Sequence, residues 1–208
     1  YFLSRSQPPF FAEMIKLWMR EKGDSVGLNY LDALEKEYSF WMRTGDSSVY
    51  LRTVHMANGL VNRYHDNYAN PRTESYKEDV ELAERFNDSI QRKKLYMNIR
   101  SSCESGWDFS SRWFTDGASL DSVHTSEILP VDLNCLLFNV EETLSKLYEL
   151  ESNAETSEFY KYRASERKNL INYYFYNEED GFYYDYDFLE EEQTGIPTLA
   201  AVYPLYFK

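Results

Sequence analysis

The residues at 104–113, Glu-Ser-Gly-Trp-Asp-Phe-Ser-Ser-Arg-Trp, place one carboxylate, Asp108, among Trp107, Phe109 and Trp113. A general acid must keep its proton near neutral pH. An apolar, aromatic setting disfavours the charged carboxylate and raises its pKa. If these rings pack on it, Asp108 has that setting, and Gly106 supplies a bend two residues before it. The same spacing also suits a plain turn, in which Asp108 would accept a backbone N–H and stay ionised.

Three further stretches carry polar chemistry. Asn62-Arg63-Tyr64 is followed by Pro71-Arg72-Thr73-Glu74-Ser75-Tyr76, with Arg72 and Glu74 at a loop end and a helix entrance. A guanidinium offers several donors and a carboxylate two acceptors, a pairing suited to vicinal hydroxyls. It equally suits a surface ion pair beside a cap. Arg5-Ser6-Gln7 stands just before Pro8-Pro9 and reads as donors at a cleft or as an ordinary helix entry. In Leu129-Pro130-Val131-Asp132-Leu133-Asn134, Asp132 favours a helix dipole, and Asp132 and Asn134 could also face a cleft.

Other chemistries find less support. His55, His65 and His124 form no paired spacing, and no CxxC or HExxH pattern is present, so no metal site is expected. Cys103 and Cys135 read as two buried thiols, with a single disulfide as the alternative. The net charge of −13 repels phosphate backbones and anionic lipid, which argues against nucleic acid and membrane partners but leaves neutral ligands. Aromatic residues make up 17% of the chain, and with many carboxylates they suit either a sugar cleft or a Tyr-rich helical core.

Helices must position these stretches. Apolar spacing predicts a first helix after Pro8-Pro9, with Phe11, Met14, Ile15 and Trp18 inward. A second is predicted over about 28–43, with Leu28, Leu31, Leu34, Tyr38 and Trp41 inward and Gly45 as its stop. A short strand is expected at 47–54 and a long loop at 55–75. Helices follow at about 75–86, where Ser75-x-x-Glu78 fits a capping box, and at about 88–102. A second long loop covers 103–130. The clearest helix follows Pro130, with Leu133, Leu136, Leu137, Val140, Leu144, Leu147 and Tyr148 recurring. Its partner spans about 155–175, with Tyr160, Ala164, Ile171 and Tyr174 inward; a small hairpin lies near 176–186, and Pro197 opens a last helix. Antiparallel helix pairs with long loops between them suit an α/α toroid or an α-solenoid.

Taken in order, SRSQPP at 4–9, NRY at 62–64, PRTESYKEDVELA at 71–83, ESGWDFSSRW at 104–113 and LPVDLN at 129–134 resemble the inverting trehalases. DYD at 185–187 and VYPLYF at 202–207 are similar to later elements of that family. The resemblance implies an all-α fold, antiparallel helix pairs forming part of an (α/α)6 toroid, with short β-hairpin elements in loops. It implies hydrolysis of α,α-trehalose to two glucose molecules without metal or organic cofactor. Asp108 falls on the family's general acid. Arg5, Ser6, Gln7, Arg72, Thr73, Glu74 and Gly106 fall on substrate contacts, although Thr73 stands where the family more often has Pro.

The family's PGGRF…YWDSY segment is expected before Tyr1. Its QWDxPxxWAP segment and the Gly-rich loop with the general base are expected after Lys208. Residues 1–208 therefore read as the central part of one catalytic domain, incomplete at both ends. An inverting enzyme needs two carboxylates about 6.5–9.5 Å apart. The isolated stretch, carrying only the acid, is expected to be inactive. Two other readings remain: a carbohydrate-binding fragment without turnover, and an α-solenoid interaction scaffold.

Overall fold

The computed structural model describes residues 4–43 and 51–207. The chain divides into two compact units, each described by itself. The first comprises 1–8, 63–129 and 187–192; the second comprises 9–62, 130–186 and 193–208.

The second unit is built on helix pairs. Helix α1 (Phe11–Lys22) and helix α2 (Leu31–Met42) are joined by a 3-10 segment, Asp24–Tyr30, which takes the place of the first turn expected for the second helix. Helix α5 (Val131–Leu150) and helix α6 (Ala154–Phe175) form the longest pair, and the short link lets them pack antiparallel. Ala12, Ile15 and Met19 from α1 and Leu31, Leu34 and Tyr38 from α2 share a core with Val140, Leu144, Leu147 and Tyr160. Gly27 sits where an added Cβ would meet Leu147 and Met19 side-chain atoms at 2.6 Å, so its missing side chain permits this close approach.

The inward faces of α2 and α6 are those expected. The stripe on α1 is not: Met14 is 63% exposed and Trp18 44% exposed. Ile15 is buried as expected, but Ala12 and Met19 complete its face. Ala12, Ile15 and Met19, three and four positions apart, share the one face that meets the core, and helical phase turns Met14 and Trp18 away from it.

The expected loop at 55–75 begins with a hairpin. Strand β1 (Thr53–Met56) pairs antiparallel with β2 (Gly59–Asn62), and Ala57-Asn58 form its two-residue turn. Asn58 and Gly59 do not both sit in that turn, because Gly59 is already paired with Met56. The expected strand at 47–54 overlaps β1 at its end, while 47–50 and the Gly45 stop lie outside the described residues. A second hairpin pairs Tyr176–Asn177 with Phe182–Tyr183, as expected. After Pro197, a 3-10 turn at Leu199–Ala201 leads into a short helix, Val202–Tyr206.

The first unit holds helices α3 (Tyr76–Ala83) and α4 (Ser89–Ser105). Ser75 makes no capping bond through its side chain. The 3-10 turn at Thr73–Ser75 already leads the chain into α3, so the expected capping box does not form. Asp88 does cap α4, accepting from the Ile90 N–H. Both cysteines are free thiols; Cys135 is buried and Cys103 only partly so.

Candidate active site

Helix α4 organises the first unit. Its buried face is mostly polar: Asn98, Arg100, Ser101, Ser102, Glu104 and Ser105 are buried beside Leu95 and Ile99. Buried polar groups seek partners; the Ser101, Ser102 and Ser105 hydroxyls donate to carbonyls of the helix itself, and loop groups supply further partners. Asn98 Oδ1 accepts from the Ser126 N–H at 2.8 Å. Ser101 Oγ accepts from the Asp66 N–H at 3.1 Å. Arg100 Nε donates to Asp66 Oδ2 at 2.9 Å, and its Nη2 donates to Ser4 Oγ.

Glu104 is the centre of this arrangement. It is 0% exposed. Its Oε1 accepts from the Ser6 N–H at 2.8 Å and its Oε2 from the His65 N–H at 2.9 Å. One carboxylate thereby ties two segments, remote in sequence, to the last turn of α4.

The Arg5-Ser6-Gln7 stretch is thus brought onto α4. The Arg5 guanidinium is buried, and Nη2 donates to Glu74 Oε1. Its Nε lies 4.0 Å from Asp66 Oδ2. Burial opposes the charged form of Glu74, but the Arg5 hydrogen bond, a backbone bond and the nearby Arg5 and Arg72 charges hold its pKa below the usual value. Ser6 is half-buried and Gln7 exposed.

Arg72 is buried with Asp79 of α3. Nε donates to both Asp79 oxygens, at 3.2 and 3.0 Å, and Nη2 donates to Oδ1 at 2.6 Å. Nη1 donates to Cys103 Sγ at 3.3 Å. Burial works to lower the Arg72 pKa, yet hydrogen bonds and charge from Asp79 and Cys103 raise it overall. The guanidinium also lies 4.9 Å from the Phe109 ring centroid. Thr73 is exposed.

Gly106 ends α4 in the left-handed conformation, φ 73°. An added Cβ there would meet only Pro8 at ordinary contact distance, so the glycine answers a backbone demand rather than a lack of space. The Ser110 N–H then donates to the Trp107 carbonyl, closing a tight turn with Asp108 and Phe109 between. Asp108 is exposed and has φ 39°. Positive φ is uncommon outside glycine, though Asp tolerates it better than most, and such strain gathers at functional sites.

The aromatic rings expected to surround Asp108 are engaged elsewhere. The Arg112 guanidinium is 5.0 Å from the Trp107 ring and 4.4 Å from that of Trp113. Trp113 is fully buried, with Tyr64 edge-on at 6.3 Å. The rings pack the loop against buried arginines and leave the acid at its tip.

Asn62 and the 129–134 stretch take a structural part in the second unit. Asn134 Oδ1 accepts from the Asn62 N–H and from Arg167 Nη1, and its Nδ2 donates to the carbonyls of Asn62 and Pro130. Arg167 donates to both Glu141 oxygens at 2.9 Å, and Tyr38 Oη donates to Glu141 Oε1 at 3.0 Å. Asp132 is buried. In the first unit, burial lowers the Arg63 pKa to about 10, with Glu127 acting against it.

Arg5, Ser6, Arg72, Glu74, Gly106 and Asp108 all lie in one unit, joined through α3 and α4. Asp66, Asp79, Arg100 and Glu104 hold them, and sequence reasoning assigned none of these a part. Each is 7 to 98 positions from the group it holds, and no local spacing connects them. Among the described residues, no cluster of His, Cys, Asp or Glu could hold a metal ion, and no helix is long and apolar enough to cross a membrane.

A family model described as Trehalase matches residues 1–208. Among solved structures, neutral trehalase Nth1 from Saccharomyces cerevisiae has a TM-score of 0.76 at 20% identity, over 99% of this chain and 41% of that one. A structure titled sialidase has a TM-score of 0.59 at 14% identity, over 98% of this chain and 14% of that one. At such identities the likeness shows the fold, helix pairs of the α/α toroid class. The chain spans about two fifths of the length of the yeast protein.

Proposed function

The chain belongs to the trehalase family, and on that premise we propose that it is the central part of a single (α/α)6 catalytic domain that hydrolyses α,α-trehalose to two glucose molecules. Asp108 protonates the glycosidic oxygen as the bond to the anomeric carbon breaks. A glutamate outside these residues takes a proton from water, which attacks the opposite face of the sugar. The anomeric centre is inverted, and one of the two glucose molecules is released as the β anomer.

The observation that supports this reading is convergence. Arg5 and Glu74, 69 positions apart, are hydrogen-bonded, and the Ser6 backbone is held by Glu104, two residues before Gly106. Three stretches singled out for sugar contact thus meet around α4, beside the turn that carries Asp108. Arg5 and Arg72 present donors, and Glu74 an acceptor, to hydroxyls of a neutral disaccharide. Thr73 and Gly106 contribute through their backbone, and Gln7 through its exposed amide. No metal or organic cofactor enters this scheme.

The test is Asp108→Asn in the full-length protein. Loss of a general acid is expected to lower trehalose turnover by about 10²–10⁴-fold. The exposed position predicts an unchanged melting temperature. Turnover within about tenfold of the parent would remove Asp108 from the role. Proton NMR of the first-formed products tests the stereochemistry: β-glucose is expected in equal amount to the α anomer, and α-glucose alone rejects inversion. The 208 residues alone are expected to lack turnover because the base lies outside them.

A further inference from the structure

We propose that Asp79 is a positioning residue of this site, acting through Arg72 to aim its guanidinium at the sugar. The proposal rests on the reading of Arg72 as a substrate contact.

Arg72 and Asp79 are both buried, at 7% and 2% exposure. Asp79 takes the Arg72 backbone N–H at 2.8 Å as well as its side chain, so one carboxylate sets both the main chain and the guanidinium. The bond from Nη1 to Cys103 fixes a second edge, and Phe109 covers one face. These contacts use one N–H on each of the three guanidinium nitrogens. One N–H on each terminal nitrogen remains for vicinal hydroxyls.

Asp79 lies in the first turn of α3, where the helix dipole favours its charge. An anion stabilised in that way holds a buried arginine without help from a ligand. A bidentate Asp–Arg fork fixes direction as well as charge, which a single contact cannot.

The experiment is a double-mutant cycle with Asp79→Asn and Arg72→Ala in the full-length protein, with rates normalised to folded protein by near-UV circular dichroism. Asp79→Asn is expected to raise KM for trehalose about tenfold while kcat stays within about twofold, the signature of lost binding. The double variant is expected to match the KM of Arg72→Ala alone within about twofold, because Asp79 acts only through Arg72. Multiplying effects, or a fall in kcat at constant KM, overturn the proposal.

Should Asp79→Asn fail to fold, Arg72→Lys keeps the ion pair and removes the fork. A KM within about threefold of the parent then overturns the proposal. Exchange of the Arg72 Nε–H, followed by NMR, separates the two layers of inference. Slow exchange in the parent and fast exchange in Asp79→Asn are expected, and equal exchange overturns the positioning role. A parent that shows this exchange pattern but does not turn over trehalose removes the trehalose reading and upholds the hold of Asp79 on Arg72.

Discussion

Helices α4 and α5 are both long, and both bury much of their length, but they bury opposite chemistry. Helix α5 buries Leu133, Leu136, Leu137, Val140, Leu144 and Leu147. Two of its buried polar groups, Glu141 and Asn134, join an interior network with Arg167, Asn62 and Tyr38. Helix α4 buries hydroxyls, an amide, a carboxylate and a guanidinium, and several of these bond to loop groups: Ser101, Asn98, Arg100 and Glu104. The difference is one of purpose. An apolar face binds another helix without direction, because burial energy scales with area. A polar face binds through directed hydrogen bonds and therefore fixes loops at particular atoms. The loops held in this way carry Arg5, Ser6 and Asp108.

The two buried arginine systems differ in the same sense. The Glu141 side chain facing Arg167 is 0% exposed, whereas that of Glu74 facing Arg5 is 29% exposed. The first is closed to solvent; the second ends on a group that water or a hydroxyl can reach.

Breaking the closed network should have the largest effect on stability. Glu141→Ala strands the Arg167 charge in the interior, and a loss of about 3–5 kcal/mol is expected in denaturant titration. A loss below about 1 kcal/mol would mean the second unit does not depend on its polar network. On α4, Glu104→Gln replaces one acceptor with a donor that faces a backbone N–H, for an expected cost of about 1–3 kcal/mol. Faster amide exchange at Ser6 or His65, whichever N–H is left unpaired, is its specific signature. If both amides stay protected, Glu104 does not anchor these segments.

The smallest effects concern two glutamates shifted in opposite directions. Burial raises Glu37 of α2 from 4.5 to about 7, and its Oε2 is buried with no hydrogen-bond partner among the described residues. The folded state then binds more protons than the unfolded one between pH 4.5 and about 7, so stability falls as pH rises through that window. After discounting for solvent screening the expected loss is about 1 kcal/mol, and Glu37→Gln should abolish it. Glu74 of the first unit has the opposite sign. Its lowered pKa stabilises the fold above pH 4.5, and that contribution is lost as pH falls through the folded value. Glu74→Gln should flatten the acid side of the stability profile and leave pH 5–7 unchanged. The same slope in both variants would contradict the contrast between the units.

How far these features could be read from the chain depends on their range. The α2, α5 and α6 faces were legible because apolar residues repeat every three or four positions. The hairpin at 53–62 was hidden, because its strands are short and its inward residues include Thr53 and Asn62. Helix α4 offered only Leu95 and Ile99 as an apolar face, since most of its buried side chains are those that sequence patterns assign to solvent. The candidate site residues were legible as stretches, and the family resemblance named them. Their holders, Asp66, Asp79, Arg100 and Glu104, were not.

By itself, then, the sequence determined the helix pairs, the family and the turn around Asp108, because periodicity, ordered motifs and a Gly bend are local properties. The tertiary structure decided what those residues face. It turned Met14 and Trp18 outward, drew the aromatic rings onto Arg112 and Arg72, and left Asp108 exposed at the tip of its turn. The physical reason is that a buried charge or polar atom must be paired, and the partner can come from any part of the chain that folding brings within hydrogen-bond distance.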